Sequence, residues 1–277
     1  MTVPAAQPAA APATGTLPWY AWLFSPPEAR PLFAALFGLD GEWRSIVATQ
    51  MDHGVAHLKL QWWKDELGRL DRDEPRHPLT TFLARSRPGA TSAWQALGDR
   101  LSSLDFDLAC AGYPSQRELD AYFARADGLY RALVELLLRG QVAGIEAAAR
   151  SAGQAIRMIE CIRDLRQDAT DGRVHLPLDW LTEAGVTPLE LRSADAGPGA
   201  RRCLERFAHC ARDRWQQARR GINRAGAPTL RGLRVHGELH LALLRRIERE
   251  RFAVGTHRIV LGPAASLWTA WRAARQH

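Results

Sequence analysis

Apolar residues recur at intervals of three and four along almost the whole chain, while the two-residue alternation of a half-buried strand is nearly absent. That property confines the chain to helical packings. Leu32, Ala35, Leu36, Leu39 and Trp43 form such a stripe behind Pro26-Pro27-Glu28, which reads as a helix start. A second stripe runs over about 55–70. Ser115 with Glu118 three residues on reads as a capping box, opening a helix through Leu119, Tyr122, Leu129, Leu133, Leu136 and Leu137. The pattern resumes over about 144–170, 201–221, 230–251 and 264–275. Pro75, Pro78, Pro88 and Gly89 break up the stretch after the second helix, and 188–191 reads as a short turn. The expectation is one all-α domain over 18–277. Residues 1–17, rich in Ala and Pro, read as a disordered leader rather than a signal peptide, because they lack a basic start and a clean apolar stretch.

Charge and cysteine usage exclude several roles. The formal net charge of +7 is carried almost wholly by arginine, Lys59 and Lys64 being the only lysines. No dense basic stripe interleaved with aromatics is present, so no nucleic-acid partner is expected. No apolar run approaches the ~18–20 residues of a membrane span, which points to a cytoplasmic protein. The last helix carries Leu267, Trp268 and Trp271 with Arg272 and Arg275. It reads either as a helix docked on the core or as a peripheral membrane contact. Cys110, Cys161, Cys203 and Cys210 show no paired spacing; Cys203, His209 and Cys210 share a helix at a spacing wrong for zinc, so reduced thiols are expected.

The chemistry-bearing stretch is 163–177, R-D-L-R-Q-D-A-T-D-G-R-V-H-L-P. Asp164 and Asp168 stand one helical turn apart, which stacks their carboxylates on one face. Such a pair can share a hard cation such as Mg²⁺. The same residues also read as a solvated face neutralised by Arg163, Arg166 and Arg173. Arg163 and Arg173 could instead donate to diphosphate oxygens. Trp62 and Trp63 read as packing residues and His77 as a loop element. Asp127, inside an apolar helix, reads as the partner of Arg131 at i+4 or as the mark of an altered pocket.

Taken in order, these segments resemble the squalene/phytoene synthase family over nearly the whole chain after the leader. The strongest match is 153–177, which resembles the family's second acidic motif, an Asn-x-x-Arg-Asp-x-x-x-Asp helix ended by a Gly-Arg-x-Tyr-x-Pro turn. Supporting matches are L-Q-W-W-K-D-E-L at 60–67, His77-Pro78, Tyr122-x-x-Arg125-x-x-Gly128, and the closing segments 244–254 and 258–261. The resemblance implies an isoprenoid-synthase-type helical bundle around a central apolar cavity. It implies head-to-head joining of two prenyl diphosphates with Mg²⁺, held by two aspartate-rich motifs facing each other. Carried over residue by residue, Asp164 and Asp168 are the metal ligands and catalytic acids. Arg163, Arg173, Tyr122 and Arg125 become substrate-binding residues, and the partner is a prenyl diphosphate or another isoprenoid lipid.

The chain departs from that pattern at the first acidic motif. In the stretch 37–48, Arg44, Ser45 and Ala48 fall on the family's three aspartates. Asp40 and Glu42 lie on different sides of the helix and do not replace them. An arginine about 4 Å from a cation, at an effective dielectric near 20, repels it by roughly 4 kcal/mol per unit of ion charge. Arg157 and Glu160 stand where the family has Gln and Asn, and His175 where it has Tyr; Asp127 replaces a small apolar residue. These changes touch the metal and diphosphate shell and spare the scaffold. The pattern resembles a divergent branch of the family that includes a mitochondrial complex I assembly factor. Three expectations follow: a prenyltransferase of the phytoene/squalene type, a non-catalytic descendant that binds a prenyl lipid or a protein partner, or a protein that binds prenyl diphosphate and hydrolyses or sequesters it without coupling. A salt bridge from Arg44 to Asp164 or Asp168 would favour the second.

Overall fold

The computed structural model describes residues 10–48, 52–110, 112–193 and 197–276. Residues 1–9, most of the expected leader, lie outside the described residues. The helices in chain order are α1 (Leu17–Phe24), α2 (Arg30–Ala48), α3 (His53–Asp71), α4 (Pro78–Ser86) and α5 (Thr91–Leu108). Then come α6 (Gln116–Ala126), α7 (Gly128–Leu138), α8 (Ile145–Arg163), α9 (Leu165–Thr170) and α10 (Leu178–Glu183). The chain closes with α11 (Pro198–Ala225), α12 (Arg231–Arg249) and α13 (Pro263–Arg275). Among the described residues no strand forms, only an isolated bridge between Tyr113 and Pro177. The all-α expectation holds.

Several boundaries differ from the periodic reading, each for a physical reason. The first helix, α1, is apolar nearly all round (LPWYAWLF), so it shows no stripe; Thr16 caps it by accepting the Trp19 N–H. The proline-broken stretch contains α4, because Pro78 sits at the first helical position, where its missing N–H costs nothing. It also leads into α5, an eighteen-residue helix. The capping box is present, with Glu118 accepting the Ser115 N–H at 3.1 Å. The helix it opens is divided at Asp127 into α6 and α7, and the 144–170 helix is divided at Asp164 into α8 and α9.

Helix α8 is the hub, packed against α7, α11 and α12, while α5 lies against α3, α6 and α7. Gly128 makes the α5–α7 contact possible: a Cβ there would fall 2.0 Å from the Ala96 carbonyl oxygen. Trp63 is buried edge-on to Trp43 at 5.7 Å, while Trp62 stays near the surface beside it. Glu66 is fully buried and accepts the backbone N–H groups of Arg76 and His77, each at 2.8 Å. That grip shapes the loop into α4, in which His77 accepts the Leu79 N–H, so His77 is a loop element as read. All four cysteines are free thiols.

Candidate functional site

The site begins with how the chain leaves α8. Asp164 takes φ −98° and ψ 10°, a one-residue step that lets α9 resume, with the Asp168 N–H donating to the Asp164 carbonyl at 2.9 Å. Helix α9 ends at Thr170, and the turn after it passes through Gly172, whose φ of +86° suits a residue without a Cβ. The Gly172 N–H donates to the Ala169 carbonyl and the Arg173 N–H to the Asp168 carbonyl at 2.7 Å, the paired closure of a Schellman turn. This turn carries Arg173 back over α9. Its guanidinium therefore meets Asp168 at 3.0 Å and Asp171 at 2.7 Å.

Each carboxylate of the motif is thus held by nearby cations. Asp164 is gripped by its neighbour Arg163 and by Arg258 at 3.0 Å. Asp168 faces Arg173 on one side and His175 on the other, the latter at 3.4 Å. Arg163 and Arg173 both pair with the aspartates here, Arg163 with Asp164 and Arg173 with Asp168 and Asp171. Arg166 does not join them; it donates to the Gly255 carbonyl at 2.8 Å.

From Asp168 a chain of alternating charges runs through the molecule. His175 Nε2 lies 2.8 Å from Asp107, which also accepts from the Tyr122 hydroxyl at 2.9 Å and from Arg157 at 3.2 Å. Arg157 stands 3.9 Å from Glu160 and donates to the Tyr122 oxygen at 2.8 Å. Glu160 accepts from Arg44 at 3.1 Å with both oxygens. Arg44 lies 3.7 Å from Asp40, and Asp40 accepts from buried Arg100 at 2.7 Å. Burial pushes the pKa values of Asp107, Glu160 and Asp168 up, but the surrounding cations win. Asp107 is held well below the usual carboxylate range by Arg157 and His175, and Glu160 likewise by Arg44 and His240. Burial disfavours the His175 cation, yet Cys161 and the carboxylates of Asp107 and Asp168 more than offset it and hold His175 well above its ordinary value.

Arg44 therefore does not bridge to Asp164 or Asp168, as the sequence invited one to test. It reaches Glu160, one turn before Asp164 on α8, and the two exchanged residues satisfy each other. Of the substrate-binding candidates, Tyr122 is buried beneath Arg157 and shares its charge network. Arg125 is placed elsewhere: it lies on the exposed side of α6, over the Phe106 ring and bonded to its own helix at Ala121. Asp127 has the expected partner, Arg131 at 2.7 Å, and also accepts from Gln154. Asp107 and Arg100 were not anticipated. Their signal was a charged residue at positions 100 and 107 of a stripe otherwise built from Leu97, Leu101 and Leu104.

These groups surround a cavity of about 710 Å³. Among the described residues seven arginines and four aspartates line it, with apolar surface from Val47, Ala48, Leu104 and Val254. The bundle interior next to Glu160 is filled by a stack of Phe37, His236 and His240, with centroids 5.0 and 4.5 Å apart.

A family model described as squalene/phytoene synthase matches residues 18–265. The chain belongs to the squalene/phytoene synthase family. It is 27% identical over 170 residues to a phytoene synthase of Rhodobacter capsulatus, covering 61% of this chain and 50% of that protein. It is 25% identical over 221 residues to a presqualene diphosphate synthase of Rhodopseudomonas palustris, covering 76% and 75%. A bifunctional lycopene cyclase/phytoene synthase of Pyrenophora tritici-repentis matches at 24% over 207 residues, and the chain spans only 36% of it. The chain thus spans half or less of several relatives it matches. A dehydrosqualene synthase structure superposes with a TM-score of 0.79 at 14% identity, covering 94% of this chain and 91% of that one. Squalene synthase HpnC from Alicyclobacillus acidocaldarius gives 0.70 at 21%, covering 84% and 88%. At these identities the structures show a shared fold.

A squalene/phytoene synthase of the kind the resemblance implies holds magnesium between two acidic motifs. Here the carboxylates of the second motif are occupied by Arg163, Arg258, Arg173 and His175, and Arg44 projects from the first. Among the described residues, no group of three or more His, Cys, Asp or Glu side chains is placed to hold a metal. The residues of this cavity do not fit a magnesium cluster. What they can do is present guanidinium donors to an anion.

Proposed function

We propose that this chain is a non-catalytic member of its family that binds the head of a prenyl diphosphate or similar anionic isoprenoid without magnesium and does not couple two of them. The observation that carries this reading is the Arg44–Glu160 bridge, at 3.1 Å to both oxygens, in the place of the first acidic motif. Coupling two prenyl diphosphates needs cations that stabilise the leaving diphosphate. A guanidinium fixed between Asp40 and Glu160 repels such a cation, while the remaining arginines of the cavity offer direct donors to phosphate oxygens. The same fold could present that lipid in the assembly of a membrane or respiratory complex.

The test is incubation of the purified chain with farnesyl or geranylgeranyl diphosphate and Mg²⁺, beside an Asp164→Ala/Asp168→Ala control. The expected result is no C30 or C40 product above the control, with diphosphate binding unchanged by a chelator. Product above the control, or binding that requires Mg²⁺, overturns the reading. The second reading, prenyl transfer, is favoured by the retained Arg163-Asp164 pair, Asp168 and the Gly172-Arg173 turn, and by relatives named phytoene synthase and presqualene diphosphate synthase.

A further inference from the structure

Helix α13 is packed in the reverse of the sense that burial of apolar surface dictates. Its inward face is made of Ser266, Thr269, Ala270 and Ala273, all buried. Its outward face carries Leu267, Trp268 and Trp271, which are 49%, 60% and 39% exposed. A helix whose role ended at covering the core would turn its tryptophans inward and its serine and threonine out. The two outward rings stack on each other with centroids 5.0 Å apart, and the Arg275 guanidinium lies over Trp271 at 4.5 Å. Helix α1 packs beside α13, its Tyr20 hydroxyl donating to the Pro263 carbonyl at 3.4 Å. It adds Trp19, Trp22 and Leu23, all half-buried, and Arg30 lies over Trp22 at 5.4 Å. Val260, just before α13, is 55% exposed.

The charge pattern says what covers this face. All 30 carboxylate side chains of the protein lie between Glu28 and Glu250. The stretches 1–27 and 251–277, within which α1 and α13 lie, contain none, and the second contains Arg251, Arg258, Arg272 and Arg275. Exposed tryptophans flanked by arginines, without a carboxylate, match the headgroup layer of a bilayer. Indole rings sit there at the acyl boundary and guanidiniums meet phosphates. A second copy is a poor match, because a two-fold contact would set the same cations face to face. No described helix is long and apolar enough to cross a membrane, so the contact is one of surface docking.

We propose that the α1–α13 face docks on a bilayer surface that contains anionic phospholipid. Docking also places the charged cavity near the lipid, since Val254, His257 and Arg258 of its rim lead into α13 through 259–262.

The test is co-sedimentation of the full chain with vesicles of phosphatidylcholine alone and of equal parts phosphatidylcholine and phosphatidylglycerol. The chain is expected to sediment with the anionic vesicles and to be released by raised salt. Trp268→Ser/Trp271→Ser is expected to lower the partition coefficient about tenfold or more. Arg272→Gln/Arg275→Gln is expected to lower it by a similar factor on anionic vesicles only. Brominated phospholipids provide a measurement independent of any variant, since they quench tryptophan emission of the unaltered chain if the rings enter the bilayer. Absence of sedimentation with anionic vesicles, absence of quenching, or undiminished binding by folded variants overturns the proposal. A Trp268-dependent dimer seen by light scattering without vesicles does so too, by assigning the face to a second copy.

Discussion

Asp107 accepts from a tyrosine hydroxyl, a guanidinium and an imidazole at once, and His175 is fixed between Asp107 and Asp168. Replacing His175 by Gln is expected to cost about 3 kcal/mol, because it leaves two buried carboxylates short of a cation. The pH dependence follows from the direction of the shifts. The pKa of His175 is raised in the fold, so its contribution is full below the unfolded value of about 6.5 and is lost as pH rises toward the folded value. The pKa values of Asp107 and Asp168 are lowered, so their share is present above about 4 and is lost as pH falls through the folded values. Urea denaturation of wild type and His175→Gln is therefore expected to differ most between about pH 4 and 6.5 and to converge above that window. A difference independent of pH would refute the charged imidazole. At this scale the sequence was half legible. Arg163 and Arg173 stand one and five residues from their aspartates, so local spacing foretold those pairs. Asp107 and Arg100 meet partners about sixty residues away, His175 and Asp40, and no local pattern names them.

At the scale of elements, what a periodic pattern reveals is the face a helix buries, and this was readable for α2, α8, α11 and α12. What it conceals is the interruption. Asp127 and Asp164 each end one helix and begin the next, yet the apolar spacing runs through both. The break at Asp127 precedes Gly128, where α7 touches α5 through backbone alone. Gly128→Ala would drive a methyl group into the Ala96 carbonyl, and α5 can yield only by shifting. The expected cost is about 2–3 kcal/mol. Gly98→Ala is a matched control, since a Cβ there meets nothing within 4 Å. Equal denaturation midpoints for the two variants would refute the close approach.

At the scale of the whole molecule, the family's scaffold carries an ion pair between Arg44 on α2 and Glu160 on α8, which ties those two helices together. One consequence concerns protons. An anion arriving at Arg44 meets a guanidinium already engaged by Glu160 and can take that carboxylate's place. A buried carboxylate that loses its guanidinium favours its neutral form, so anion capture should draw protons from solvent. Calorimetry of pyrophosphate binding in buffers of different ionisation enthalpy is expected to report proton uptake that the Glu160→Gln variant reduces. Equal uptake in both would place the exchange elsewhere. Under the proposed anion-binding reading, the Arg44–Glu160 bridge would couple capture to protons, so that local acidity, in addition to ligand concentration, sets occupancy.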